Sequence, residues 1–199
     1  MAGKHFSMIR SFHLADLFTI ANGFCGVGAL FQAMSFLGTQ ERWRMDTAAL
    51  LVLLAGGFDL LDGRIARWRH HASPLGRELD SLADVISFGV APAGIAFAAG
   101  LQSALDQIIL MYFVGCGLSR LARYNVTAEA LSAGTGKVRH FEGTPIPTSI
   151  VPLGVLMLAF HQRTLYPVTV IGFELHLVSL LFLLSGSLMI SKTLRIPKP

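Results

Sequence analysis

Two stretches of 21 residues, Leu17–Leu37 and Val85–Leu105, contain no Asp, Glu, Lys or Arg. A helix needs about 20 such residues to cross the hydrocarbon core of a bilayer. A soluble domain with 199 residues has little use for two uniformly uncharged helices of that length. Its charged fraction would also be near a quarter, whereas this chain is 14% charged and 53% hydrophobic. The chain therefore reads as an all-α integral membrane protein with a single membrane domain over residues 1–199.

Six spans are expected, at about 15–37, 46–69, 79–101, 105–124, 145–161 and 168–191. The second is apolar from Thr47 to Phe58 and then turns polar. The fifth carries Pro145, Pro147 and Pro152, which membrane helices tolerate when neighbours satisfy the freed carbonyls. Residues 1–16, with Phe6, Ile9, Phe12 and Leu14 among His and Arg, suit a short interfacial helix. The apolar run that follows is too long for the core of a cleaved signal peptide, so it reads as a retained span.

With the amino terminus inside, 13 of the 16 Lys and Arg face the cytoplasm, and only Arg42, Arg44 and Arg163 face the other side. The positive-inside rule then places both termini, the stretch from Asp59 to Asp84 and the segment from Arg120 to His140 on the cytoplasmic side. The formal charge of +4 is accounted for by topology, and no nucleic-acid partner is expected. Cys25 and Cys116 sit in apolar helical context and read as unpaired thiols. The six histidines outside the 126–142 segment lack metal-ligand spacing.

Ionisable side chains at a bilayer edge are costly, so a cluster of them signals function. Asp59 and Asp62 are three apart on one helix face; Asp80 and Asp84 are four apart on the next. A short turn containing Pro74 and Gly76 joins the two helices. An antiparallel hairpin brings the four carboxylates together, where mutual repulsion calls for cations. Hard oxygen ligands select Mg2+, Mn2+ or Ca2+ over zinc, and four carboxylates suit two ions about 3.5–4 Å apart, as in two-metal phosphoryl transfer. Gly63 and Ala66 keep the second helix face low, Arg67 offers a planar fork of donors to a diphosphate, and Gly76 opens the facing helix.

The pattern Asp59-x2-Asp62-Gly63-x2-Ala66-Arg67-x8-Gly76-x3-Asp80-x3-Asp84 resembles, at every specified position, the signature of the CDP-alcohol phosphatidyltransferase family. The resemblance implies that family's six-helix fold and a homodimer. It also implies two divalent cations on the aspartates, CDP-lipid binding around Gly63, Ala66, Arg67 and Gly76, and displacement of CMP by an alcohol. Asp84 would be the base that takes the alcohol's proton.

Three further segments are similar to the serine-accepting branch of the family: Ser87–Ala93, Ser119–Asn125 and Phe141–Thr148. They imply CDP-diacylglycerol and L-serine as substrates. Arg120 and Arg123, three apart at the end of an apolar helix, suit anionic groups. Asn125, Glu142 and Thr144 are candidates for reading the ammonium or hydroxyl. The 126–142 loop is expected to cover the site and, being basic, to meet anionic membrane lipids. An inner (plasma) membrane location with the site facing the cytoplasm is expected. Within the family the competing acceptors are glycerol 3-phosphate and inositol phosphates. Outside it, an ion-coupled transporter would place its acids at mid-membrane in related halves, and neither feature is present.

Overall fold

The computed structural model describes residues 14–69, 74–132, 140–170, 172–191 and 195–197. Helix α1, Leu14–Thr39, lies along helix α2, Arg42–Arg69. Its sequence is apolar nearly all round, yet its two faces differ. Leu17, Phe24, Phe31 and Met34 point outward, Phe24 with 73% of its surface exposed, whereas Asp16, Thr19, Asn22, Ala29, Ala33 and Phe36 are buried. Large apolar side chains outside, and mostly small or polar ones inside with Phe36 the exception among those named, is the arrangement expected of a helix whose solvent is lipid.

Helix α3, Pro74–Asp84, runs without a break through a π-helical segment, Val85–Val90, into helix α4, Ala91–Ala99. Gly100, with φ 125°, ends the rod. Proline is suited to a helix's first turn, where its missing N–H is not needed. Pro74 therefore begins the helix and Gly76 lies inside it, so the expectation of a turn containing both is corrected: both are helical. Helix α5, Ala104–Ser132, opens with a reciprocal cap. Ser103 N–H donates to Asp106 Oδ2 at 3.3 Å, and Asp106 N–H donates to Ser103 Oγ at 3.2 Å.

Strand β1, His140–Glu142, pairs antiparallel with strand β4, Arg195–Pro197. A 3₁₀ turn, Ile146–Ser149, leads into helix α6, Ile150–Gln162. Strands β2, Pro167–Val170, and β3, Phe173–His176, form a hairpin before helix α7, Ser179–Ile190.

Among the described residues, three stretches are long and apolar enough to cross a membrane: Asp16–Thr39, Leu75–Ala99 and Ala104–Thr127. The regions from Ile146 to Gln162 and from Ser179 to Ile190 are shorter apolar helices. Two expectations are corrected. The sixth span, 168–191, is not one helix, because Pro167, the β-branched Val168, Thr169 and Val170, and Gly172 at φ 81° favour a hairpin. Only 12 residues of α7 are helical, a rise of about 18 Å. The 126–142 loop is likewise shorter, since α5 continues to Ser132. Residues 1–13, including most of the expected interfacial helix, lie outside the described residues, as do 133–139.

The core is built from Met45, Val52, Phe88, Ile95, Leu101, Phe113, Leu156, Phe182 and Met189. Phe113 and Phe182 meet edge to face, with centroids 5.3 Å apart, joining α5 to α7. Cys25 and Cys116 are both free thiols.

Candidate functional site

Helices α2 and α3 each bring one face of acids to the same place. Carboxylate oxygens of Asp59, Asp62 and Asp80 lie within 4.8 Å of one another. Asp62 is buried, with Thr19 Oγ donating to its Oδ2 at 2.9 Å and the Gly63 N–H donating to its carboxylate. Asp80 Oδ1 is buried and finds no hydrogen-bond partner among the described residues. Three oxygens at this spacing, one with a vacant lone pair, fit a divalent cation with oxygen ligands. A Cβ on Gly63 would meet nothing within 4 Å, so there is open space beside Asp62.

Asp84 follows one turn after Asp80 and stands beside this trio, its charge coupled to those of Asp59, Asp80 and Asp62. It is 7% exposed, and Asn22 Nδ2 donates to its Oδ1 at 3.2 Å. The π segment begins at the next residue. There Ser87 Oγ donates to the Asn22 carbonyl at 2.9 Å. Helix α1 is therefore a third wall of the site, supplying Asp16, Thr19 and Asn22. Asp16 is buried, and its charge acts on Asp62. The sequence reading missed this wall. The available signal was polar residues at 16, 19 and 22, spaced at a helical period in an otherwise apolar run.

The remaining candidates divide. Arg120 is partly buried, with its Nε unpartnered among the described residues, and its charge interacts with Asp84. Thr144 Oγ is buried and likewise unpartnered among the described residues, while its N–H donates to Leu188 O at 3.2 Å. Arg123 is drawn elsewhere: its Nη1 donates to Ile190 O at 3.5 Å, at the end of α7. Asn125 is occupied between helices, with Nδ2 donating to Glu78 Oε2 and to Ser81 Oγ, each at 3.0 Å. The side chains of Ala66, Arg67 and Glu142 lie outside the described residues; Gly76 sits in the first turns of α3.

The segment leading to α6 closes against these helices through glycines. Gly143, at φ 74°, brings its backbone onto the Met189 carbonyl, where a Cβ would collide. Ile146 fills the space left by Gly117 on α5.

The membrane-helix bundle thus carries a carboxylate trio on two facing helices, a class of site whose oxygen ligands fit a divalent cation. The family model for CDP-alcohol phosphatidyltransferase matches residues 12–185, and the chain belongs to that family. A CDP-diacylglycerol–serine O-phosphatidyltransferase of Saccharomyces cerevisiae is 44% identical over 98% of this chain and 74% of its own length. The Helicobacter pylori protein of the same name is 38% identical, over 68% of this chain and 53% of its own length. An archaetidylserine synthase of Methanothermobacter thermautotrophicus is 39% identical, over 57% of this chain and 47% of its own length.

Proposed function

We propose that this chain transfers a phosphatidyl group from CDP-diacylglycerol to L-serine and releases CMP. The observation that carries the reading is the convergence of Asp59, Asp62 and Asp80 within the family's signature. Likeness to serine-using transferases along nearly the whole chain supports the acceptor.

Asp59, Asp62, Asp80 and Asp84 would hold Mg2+ or Mn2+, two ions in all. Such ions neutralise charge on the diphosphate and on departing CMP. Gly63 leaves room for the CDP group to lie against α2, and Ala66, Arg67 and Gly76 belong to the same signature. The serine hydroxyl oxygen bonds to the phosphatidyl phosphorus as the bond to the CMP oxygen breaks. Asp84 takes the hydroxyl proton, and Arg120, coupled to Asp84, balances negative charge beside it. Thr144 offers a hydroxyl to the acceptor.

Six crossings are read from α1, α2, the α3–α4 rod, α5, α6, and the hairpin with α7. Both termini and the site then face the cytoplasm of an inner (plasma) membrane, and the active form is a homodimer. The test is CMP release by detergent-solubilised protein with CDP-diacylglycerol, Mn2+ or Mg2+, and either serine or glycerol 3-phosphate. Release that requires both serine and the metal is expected. Silence with every alcohol would overturn the enzymatic reading; release with glycerol 3-phosphate alone would overturn only the serine assignment.

A further inference from the structure

We infer that Asn22 is a positioning residue for the transfer: its amide tethers one oxygen of Asp84, so that the carboxylate faces the metal site and the acceptor's proton in one fixed orientation. The inference rests on the role proposed above for Asp84.

Asn22 has 0% of its surface exposed, in the first half of a helix whose outer face is apolar. Its Nδ2 donates to Asp84 Oδ1, and its backbone carbonyl accepts from Ser87 Oγ. Its own Oδ1 is buried and finds no donor among the described residues. This orientation follows from charge, because an amide oxygen turned toward a carboxylate would be repelled. The consequence is an orphaned carbonyl in a low-dielectric interior, which costs free energy that a leucine of similar size would not incur. The residue is poor for packing and useful for one donor.

That donor acts at a place with little other restraint. A carboxylate is free to turn about its last torsion unless an oxygen is held. Asp84 is the last residue before the π segment, where the helix ladder is widened. One turn along α1, Gly26 lets the backbone of Ser87 come close: a Cβ there would lie 2.8 Å from Ser87 Cα. Residues 22 and 26 thus grip residues 84 and 87 at two points, fixing the carboxylate's backbone as well as one of its oxygens. With no exposed surface, Asn22 reaches the reaction only through Asp84.

The test substitutes Asn22→Leu, which keeps size and removes the donor, and measures CMP release and thermal stability of the purified chain in detergent. The expected result is a kcat lower by about 10- to 100-fold, with KM for serine and for CDP-diacylglycerol within about twofold and a Tm changed by only a few degrees, because relief of the orphaned Asn22 Oδ1 offsets the donor lost by Asp84. In an Asp84→Glu background the longer carboxylate no longer meets the amide at the same point. There Asn22→Leu should cost less than about threefold more. A merely structural role predicts equal losses in both backgrounds together with a Tm lowered by more than a few degrees, and that result would overturn the inference. So would a kcat within about threefold of the parent for Asn22→Leu alone. If the glutamate variant turns over too slowly to measure, the kcat-against-KM split decides. Near-normal turnover by Asp84→Asn would instead remove the underlying role of Asp84.

Discussion

Replacing Gly26 with alanine should damage both stability and turnover, because the lost space is occupied by backbone. The added methyl would lie 2.5 Å from Ser87 Oγ, 2.8 Å from Ser87 Cα and 3.0 Å from Ile86 Cγ2. The hydroxyl could rotate away, but the Cα belongs to the π segment and is held between α1, α4 and α5. Helix α1 must therefore shift, and overpacking of this kind costs about 1–3 kcal/mol. For a chain of this size that corresponds to a fall in Tm of about 2–10 °C. The same shift stretches the Asn22–Asp84 bond one turn away, so CMP release should fall more than the loss of folded protein explains. Gly57 is the control: a Cβ there meets nothing within 4 Å, and Gly57→Ala in mid-helix should stabilise by up to about 1 kcal/mol. The assay is a thermal melt in detergent, paired with initial rates on the folded fraction. A Gly26→Ala protein that melts and turns over like its parent would refute the close-contact argument.

Thr19→Val keeps shape but removes the donor to Asp62. Losing a hydrogen bond that orients a metal ligand should weaken metal activation about 10- to 100-fold, read from the Mn2+ dependence of CMP release. An unchanged activation midpoint would contradict the role of α1 in shaping the metal site. Asp106 is fully buried and accepts from Ser103 Oγ at 2.7 Å, His176 N–H at 3.0 Å and His176 Nδ1 at 2.6 Å. Asp106→Ala strands these donors and should cost about 3 kcal/mol of stability, while per-molecule turnover of the folded fraction is retained. Asp84→Asn should abolish turnover and leave CDP-diacylglycerol binding measurable by equilibrium binding; near-normal turnover would reassign the base.

The acidic site was legible because its spacing is helical and its cost in a membrane is high. Asp59 and Asp62 on one face, with Asp80 on the facing one, needed only a hairpin to meet. What escaped was the third wall. Asp16, Thr19 and Asn22 carry no motif of their own, and their place against Asp62 and Asp84 depends on α1 docking beside α3 through Gly26. Long uncharged runs located α1 and the later half of the α3–α4 rod well. The helical extent of the sixth span was overestimated because hydropathy alone does not separate a β-branched hairpin from a helix. Pro167 and Gly172 were the residues that carried the distinction. Arg123 and Asn125 looked like acceptor ligands by charge and position. In the fold Arg123 bonds the Ile190 carbonyl and Asn125 bonds Glu78 and Ser81, so each has a structural partner beside that expected role.

The central claim is that the carboxylate trio serves transfer of a phosphatidyl group to serine. Its most direct test is the fate of isotope-labelled L-serine incubated with purified chain, CDP-diacylglycerol and Mn2+. The account predicts that label enters the organic-soluble lipid fraction one for one with CMP released, and that both cease in Asp80→Asn. CMP release with the label left wholly in the aqueous phase, or undiminished lipid labelling by Asp80→Asn, would contradict it.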